Sequence, residues 1–282
     1  PLFESALAAH GVAIEGGDRV SLIQVAAQAS TFTFASVSSY FDGAGFAKIN
    51  LNPDDWHERD DRQRFLNDCA PELLTGDPFA LEQLAELPVE IRPKGILSSA
   101  TLLLPALRDR LSQRFGCPVI DVYSMNETGP IAFARADSVT DEHEILPHNL
   151  FVEILDPDGR SLPPGERGEI IVTGGVNPFL PLVRYRTGDF AAMTFDGDVP
   201  RFTGIERRRP VVFLAANGQT VVSISVTVAL FRIPLPFFSL HQSADQTLTF
   251  RTRCDAATER EIREALSGLF RSEEHTSELQ SR

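Results

Sequence analysis

The chain has 282 residues, 43% of them hydrophobic, enough to bury a full core as one large or two ordinary domains. Its formal charge of -13 excludes a nucleic-acid partner, because such a surface repels phosphate, and the basic run Glu206-Arg207-Arg208-Arg209 is too short to reverse this. No apolar stretch approaches the roughly 18 residues that span a bilayer, and Cys69, Cys117 and Cys254 lie too far apart for a disulfide framework or a zinc knuckle. A cytoplasmic protein with no membrane contact is expected.

The chain opens on Pro1 and runs into an amphipathic pattern (Leu2, Phe3, Ala6, Leu7) closed by Gly11, which reads as an internal piece of a longer gene. From about residue 18 to 116 strands and helices alternate. "VSLIQVAAQAS" and "TFTFASVSSYF" carry strand residues, although the alanines leave the first open between strand and helix. "FDGAGFAKINL", residues 41–51, has glycines that could line a ligand, but a plain turn is the preferred reading. Ile96 and Leu97 then form a short strand. Pro105 suits the first turn of a helix, Leu107, Leu111 and Phe115 recur at i, i+4 and i+8, and Gly116 follows as a cap. Pro118 to Val122 begins the next strand, which completes a parallel βαβ unit with a right-handed crossover. Ligands collect beyond the carboxyl ends of such strands, where Ser98-Ser99-Ala100 and Tyr123 to Glu127 both fall.

Past residue 150 the pattern changes. "FVEILDPDGRSLPPGERGEIIVTG" reads as two strands joined by turn residues, and "PLVRYRTGDFAAMTFDGDVPRFTG" continues an antiparallel unit. A further α/β segment ends in a helix with Ile262, Leu266, Leu269 and Phe270 on one face. The closing stretch "RSEEHTSELQSR" resembles the translation of a sequencing-library adapter and is expected to be non-native. The expected class is therefore α/β: a parallel βαβ sheet subdomain (1–150), a small antiparallel β subdomain (151–203), a hinge with a partial α/β domain (204–270), and a tail (271–282).

Two loops carry the chemistry: "YSMNET" at 123–128, and "PLVRYRTGD" at 181–189, introduced by "GERGEIIVTG". Each alone has a bland reading. Tyr123 suits a core aromatic with its hydroxyl bonded, Glu127 and Thr128 a solvated helix start, and Asp189 a turn after Gly188. Their order and spacing together resemble the adenylate-forming enzyme superfamily, and within it the phenylacetate-CoA ligase-like, CapK-related branch. The resemblance extends over most of residues 1 to 270 and is sharpest from 93 to 189.

That resemblance implies ATP-dependent activation of a small-molecule carboxylic acid as an acyl-adenylate, followed by transfer to coenzyme A. It makes Glu127 and Asn126 the candidate catalytic residues, with Glu127 also the ligand of Mg²⁺. Tyr123 would lie against the adenine ring, with Ser124 and Thr128 beside it, while Asp121 and the Ser99-Ala100 turn border the adenine edge. Asp189 would accept hydrogen bonds from both ribose hydroxyls, as an ionised carboxylate can. Relatives are often dimers, so a homodimer is the oligomer the resemblance suggests. The family's phosphate-cradling loop and C-terminal lysine are expected upstream of Pro1 and beyond Phe270. Asn126 stands where the family usually has threonine. Where the family has a Gly-Arg hinge, Gly204 is followed by Ile205, Glu206 and Arg207, although the Asn217-Gly218 turn fits. A protein thiol as acyl acceptor, or a nucleotide-binding protein without catalysis, are the other readings. Phe32, Phe34, Tyr40 and Phe41 are candidates for an acyl pocket or for ordinary core.

Overall fold

The computed structural model describes residues 2–28, 31–38, 41–134, 142–146, 150–175, 177–206, 211–216, 218, 220–231, 233–270 and 278–281. Tyr40, Arg207 and Asn217 lie outside the described residues, as does most of the tail.

After helix α1 (Leu2–Ala9) come strands β1 (Val20–Ala26), β2 (Phe34–Val37) and β3 (Gly45–Asn50), so the ambiguous 20–26 segment is a strand. A 3-10 turn (Pro53–Asp55) leads to α2 (Asp61–Cys69), β4 (Leu73–Gly76), α3 (Pro78–Glu86), β5 (Gly95–Ser98), α4 (Pro105–Phe115) and β6 (Val119–Met125). The plain turn preferred for residues 41–51 is corrected. Only residues 41–43 turn, and Gly45–Asn50 enters the sheet beside β1. Phe46, Ile49 and Ala47 all find apolar partners, because a strand covered on both faces needs no polar alternation.

The helix ends follow local chemistry. Asp77 caps α3 by accepting from the Ala80 amide at 2.9 Å, with Pro78 in the first turn. Pro105 opens α4, and Gly116 closes it at φ 70°, its amide returning to the Ser112 carbonyl at 2.8 Å. The order β2-β3-β1-β4-β5-β6 runs parallel except for the antiparallel edge strand β2. Leu66 of α2, Leu81 and Leu84 of α3, and Leu107, Leu111 and Phe115 of α4 pack on one face. Ala6 and Leu7 of α1 pack on the other.

At β6 the sheet changes character without a break. Strands β7 (Gly129–Ala134), β8 (Glu142–Ile145), β9 (Leu150–Leu155), β10 (Arg167–Gly174), β11 (Leu182–Asp196) and β12 (Val199–Glu206) continue it antiparallel. The order β6-β7-β8-β12-β11-β10-β9 gives one twelve-stranded sheet. The turn at 156–159 joins β9 to the strand-forming region beyond it, with the Arg160 amide donating to Asp156 Oδ1 at 2.8 Å. Three strands separate β6 from β11, a flat distance of about 19 Å at ordinary strand spacing. Yet Tyr123, Ile145, Ile154, Ile170, Val172, Leu182, Ala191 and Phe202 form one apolar cluster. The antiparallel half therefore curls over and encloses its own core.

The remaining elements are β13 (Val212–Leu214), β14 (Thr220–Val222), α5 (Ser223–Leu230), β15 (Ser239–Gln242), β16 (Leu248–Thr252), α6 (Ala256–Phe270) and β17 (Glu278–Ser281). Ile262, Leu266 and Phe270 of α6 are buried with Phe213 and Phe250, and Leu269 packs at the margin, the face expected for this helix. The backbone of β17 pairs parallel with β16. Gly204 and Ile205 belong to β12, where a register shift between Phe190 and Ala192 accommodates the positive φ of Gly204. Among the described residues, no helix is long and apolar enough to cross a membrane.

Candidate functional site

The two loops singled out in the sequence meet inside the curl. Odd-numbered residues of β6 share one face, so Val119, Asp121 and Tyr123 project together. The register shifts by one residue after Tyr123, and residues 126–128 turn the chain into β7. This is a hairpin and not a helix start. Thr128 is fully buried, its hydroxyl donating to the Gly129 carbonyl at 2.9 Å.

Tyr123 is 1% exposed, its ring edge-to-face with Phe202 at 6.0 Å. Its hydroxyl donates to Asp189 Oδ2 at 2.7 Å, across 66 residues of sequence. The ring is enclosed in this geometry. Packing against Phe202 claims the ring, and only the hydroxyl reaches the polar side of the site.

Asp189 is itself 7% exposed and sits on a corner built by β10. The Thr187 hydroxyl donates to the Ile170 carbonyl at 2.7 Å and accepts from the Asp189 amide at 3.0 Å. Buried Glu169 accepts from the Gly188 amide at 3.1 Å and from Arg186 Nε at 2.7 Å. Gly188, at φ 75°, supplies the left-handed turn that aims the next side chain inward.

Glu127 is brought alongside by Tyr185, whose hydroxyl lies 3.5 Å from Glu127 Oε1. Burial pushes the Tyr185 phenol above its ordinary range, and the Glu127 and Asp189 carboxylates push it further. The proton therefore stays on Tyr185 at neutral pH, which keeps it a donor between two carboxylates.

A second polar group lies further back on the same face of the sheet. His143 Nε2 of β8 is 3.2 Å from Asp121 Oδ2, reaching over Ala134, its partner on β7. Asp121 Oδ1 and the hydroxyl oxygen of Ser98, its register partner on β5, are buried without a hydrogen-bond partner. Ser99 and Ala100 follow at the end of β5, where the Ser99 amide donates to the Gly76 carbonyl at 3.1 Å and Ala100 takes φ 73°. Asn126 is exposed on the hairpin turn and Ser124 is half-buried beside it.

Tyr123 and Asp189 are thus in direct contact, Glu127 joins them through Tyr185, and Asp121 stands behind them against His143. Tyr185, His143 and Glu169 were not anticipated. Tyr185 had a signal, since it lies four residues from Asp189 and so shares its face of a strand; His143 had none. Of the acyl-pocket candidates, Phe32 and Phe34 are exposed at the β2 edge, and Phe41 packs on the α1 side of the sheet. Among the described residues, no group of three or more His, Cys, Asp or Glu could by itself hold a metal ion.

Residues 44–177 match the AMP-binding enzyme family. The chain is 26% identical over 197 residues to the phenylacetate-coenzyme A ligase of Pseudomonas putida, a match covering 66% of this chain and 44% of that protein. It therefore spans less than half the length of the curated relatives it matches. Among solved structures, a 2-hydroxyisobutyryl-CoA ligase in the postadenylation state, in complex with R3-HIB-AMP, has the same fold with TM-score 0.70 and 18% identity. That similarity covers 98% of this chain and 64% of the other. The amide bond synthetase McbA of Marinactinospora thermotolerans is similar at TM-score 0.60 and 17% identity, over 100% of this chain and 61% of that one.

Proposed function

We propose, from the match of residues 44–177 to the AMP-binding enzyme family, that this chain forms part of an acid–thiol ligase. In the first step a carboxylate oxygen attacks the α-phosphorus of ATP, giving acyl-AMP and pyrophosphate. In the second the thiol of coenzyme A displaces AMP, giving the thioester. The named ligase relatives support coenzyme A as the acceptor.

The observation that carries this reading is the Tyr123–Asp189 hydrogen bond. It joins the two loops whose order suggested a nucleotide site and leaves Glu127 next to them. Asp189 would accept from the ribose hydroxyls, and Asp121 with the Ser99-Ala100 turn would border the base. Asn126, exposed on the turn, would donate its amide to a phosphate oxygen. Glu127 would hold Mg²⁺, which screens phosphate charge when bound. One accessible carboxylate suits that ion, because Mg²⁺ keeps waters and takes its other ligands from phosphate.

The test is equilibrium binding of AMP to the chain and to Asp189→Ala. At about 1.5–3 kcal/mol for a bond to a charged acceptor, the variant should bind at least tenfold more weakly. AMP binding that is equal in both proteins would sink the assignment of Asp189.

A further inference from the structure

We infer that Tyr123 is a positioning residue for the ribose: its hydroxyl fixes the rotation of the Asp189 carboxylate, so that ribose recognition depends on a side chain that need not touch the nucleotide. This rests on the reading of Asp189 as the ribose acceptor.

Three features of the geometry carry it. The bond has ordinary O–H···O length, 2.7 Å, and both partners are buried, so water does not compete for it. Without a partner a carboxylate turns about its terminal torsion, which is broad and roughly two-fold. A phenol anchored by its own ring removes that freedom. Here the ring is held edge-to-face against Phe202 and enclosed by the apolar cluster, so the hydroxyl position is set by packing. Finally, the bond spans the curl. β6 and β11 are separated by β7, β8 and β12 in the hydrogen-bonded order, and the Tyr123 hydroxyl ties them together at the acceptor itself. On the other side, the Thr187 and Glu169 contacts hold the backbone around Asp189.

The experiment measures binding of AMP, 2′-deoxy-AMP and 3′-deoxy-AMP to the chain, to Tyr123→Phe, to Asp189→Asn and to the double variant. The wild-type chain should prefer AMP. Tyr123→Phe should weaken AMP about three- to tenfold while leaving the two deoxy-nucleotides nearly unchanged. In the Asp189→Asn background, removing the Tyr123 hydroxyl should have no further effect on the preference. Equal weakening of all three nucleotides would mean that Tyr123 acts only through packing, and a Tyr123→Phe variant with wild-type selectivity would overturn the inference outright. If Asp189→Asn loses selectivity and Tyr123→Phe keeps it, the ribose reading survives and only this inference falls. If no nucleotide binds the wild-type chain, both fall together. Should Tyr123→Phe fold poorly, the chain's three tyrosines make ¹³Cζ-tyrosine NMR practical. A Tyr123 signal that AMP moves and 2′-deoxy-AMP moves less supports the inference, and one that neither moves refutes it.

Discussion

Replacing Glu72 with glutamine should weaken the fold strongly at neutral pH and hardly at all in acid. Glu72 stands immediately before β4, only 3% exposed. It accepts from the Glu15 amide at 2.8 Å and the Gly16 amide at 3.2 Å, and pairs with Arg19 and with Lys94, the latter at 2.8 Å. Burial alone would push this carboxyl up. Lys94, the two amides and Arg19 outweigh that and hold it at about 2, against an ordinary 4.5. A displacement of that size corresponds to about 3 kcal/mol of preference for the ionised form in the folded chain. Because the folded value is depressed, this stability is complete above about pH 4.5 and disappears as pH falls toward 2. Urea unfolding of Glu72→Gln and wild type at pH 7, 4.5 and 3 should therefore show a gap of about 3 kcal/mol that narrows steadily through the acid range. A gap that stays constant with pH would mean that shape, and not charge, makes Glu72 matter, and the reasoning would be wrong.

Two glycines should respond in opposite directions to alanine. At Gly168 a Cβ would meet the Leu155 carbonyl oxygen at 2.4 Å and Leu162 Cδ1 at 2.6 Å, so Gly168→Ala should cost about 1–3 kcal/mol in urea unfolding. At Gly268, exposed on α6 with nothing within 4 Å, Gly268→Ala should add about 0.5–1 kcal/mol, and a loss there would contradict the helix. The Cys117 thiol is pushed up to about 12 by burial, so roughly one molecule in ten thousand carries the thiolate at pH 8. Iodoacetamide followed by peptide mass mapping should label it only after unfolding, and native labelling as fast as that of half-buried Cys254 would show that it is not enclosed. On the proposed ligase reading, Glu127→Gln in a protein of the ligase relatives' full length should raise the Mg²⁺ concentration needed for pyrophosphate release, with partial rescue by excess metal. An unchanged Mg²⁺ titration would exclude Glu127 as the ligand.

Much of the parallel half could be read from neighbouring residues, because its signals are local. Pro105, the Leu107-Leu111-Phe115 spacing and Gly116 name a helix whatever surrounds it, and the strands on either side follow. Residues 45–50 could not be read that way. Their strand is set by pairing with β1 and β2, and the glycines before it pointed to a turn. The loops bearing Glu127 and Asp189 were legible as motifs, but the chemistry of Tyr123 was not. Whether a tyrosine shows its face or its hydroxyl depends on Phe202, 79 positions on and across the curl, and no period in the sequence reports that. The Asp121–His143 contact fails for the same reason: it needs a small residue at Ala134 between two strands whose register is set elsewhere.

The join between β8 and β12 has a kinetic consequence. Strands β6 to β8 form one meander of sequence neighbours, and β9 to β12 form another; each can assemble by short-range closure. Residues 142–144 must then find residues 201–203, and only this long-range step unites the meanders. Tyr123 belongs to the first and Asp189 to the second, so neither meander alone can form the proposed nucleotide pocket. In a refolding experiment the far-ultraviolet strand signal should rise in an early phase, while competence to bind AMP appears in a later one. The pocket is a product of zippering, and a substitution that slows the β8–β12 join should delay binding without changing the affinity finally reached.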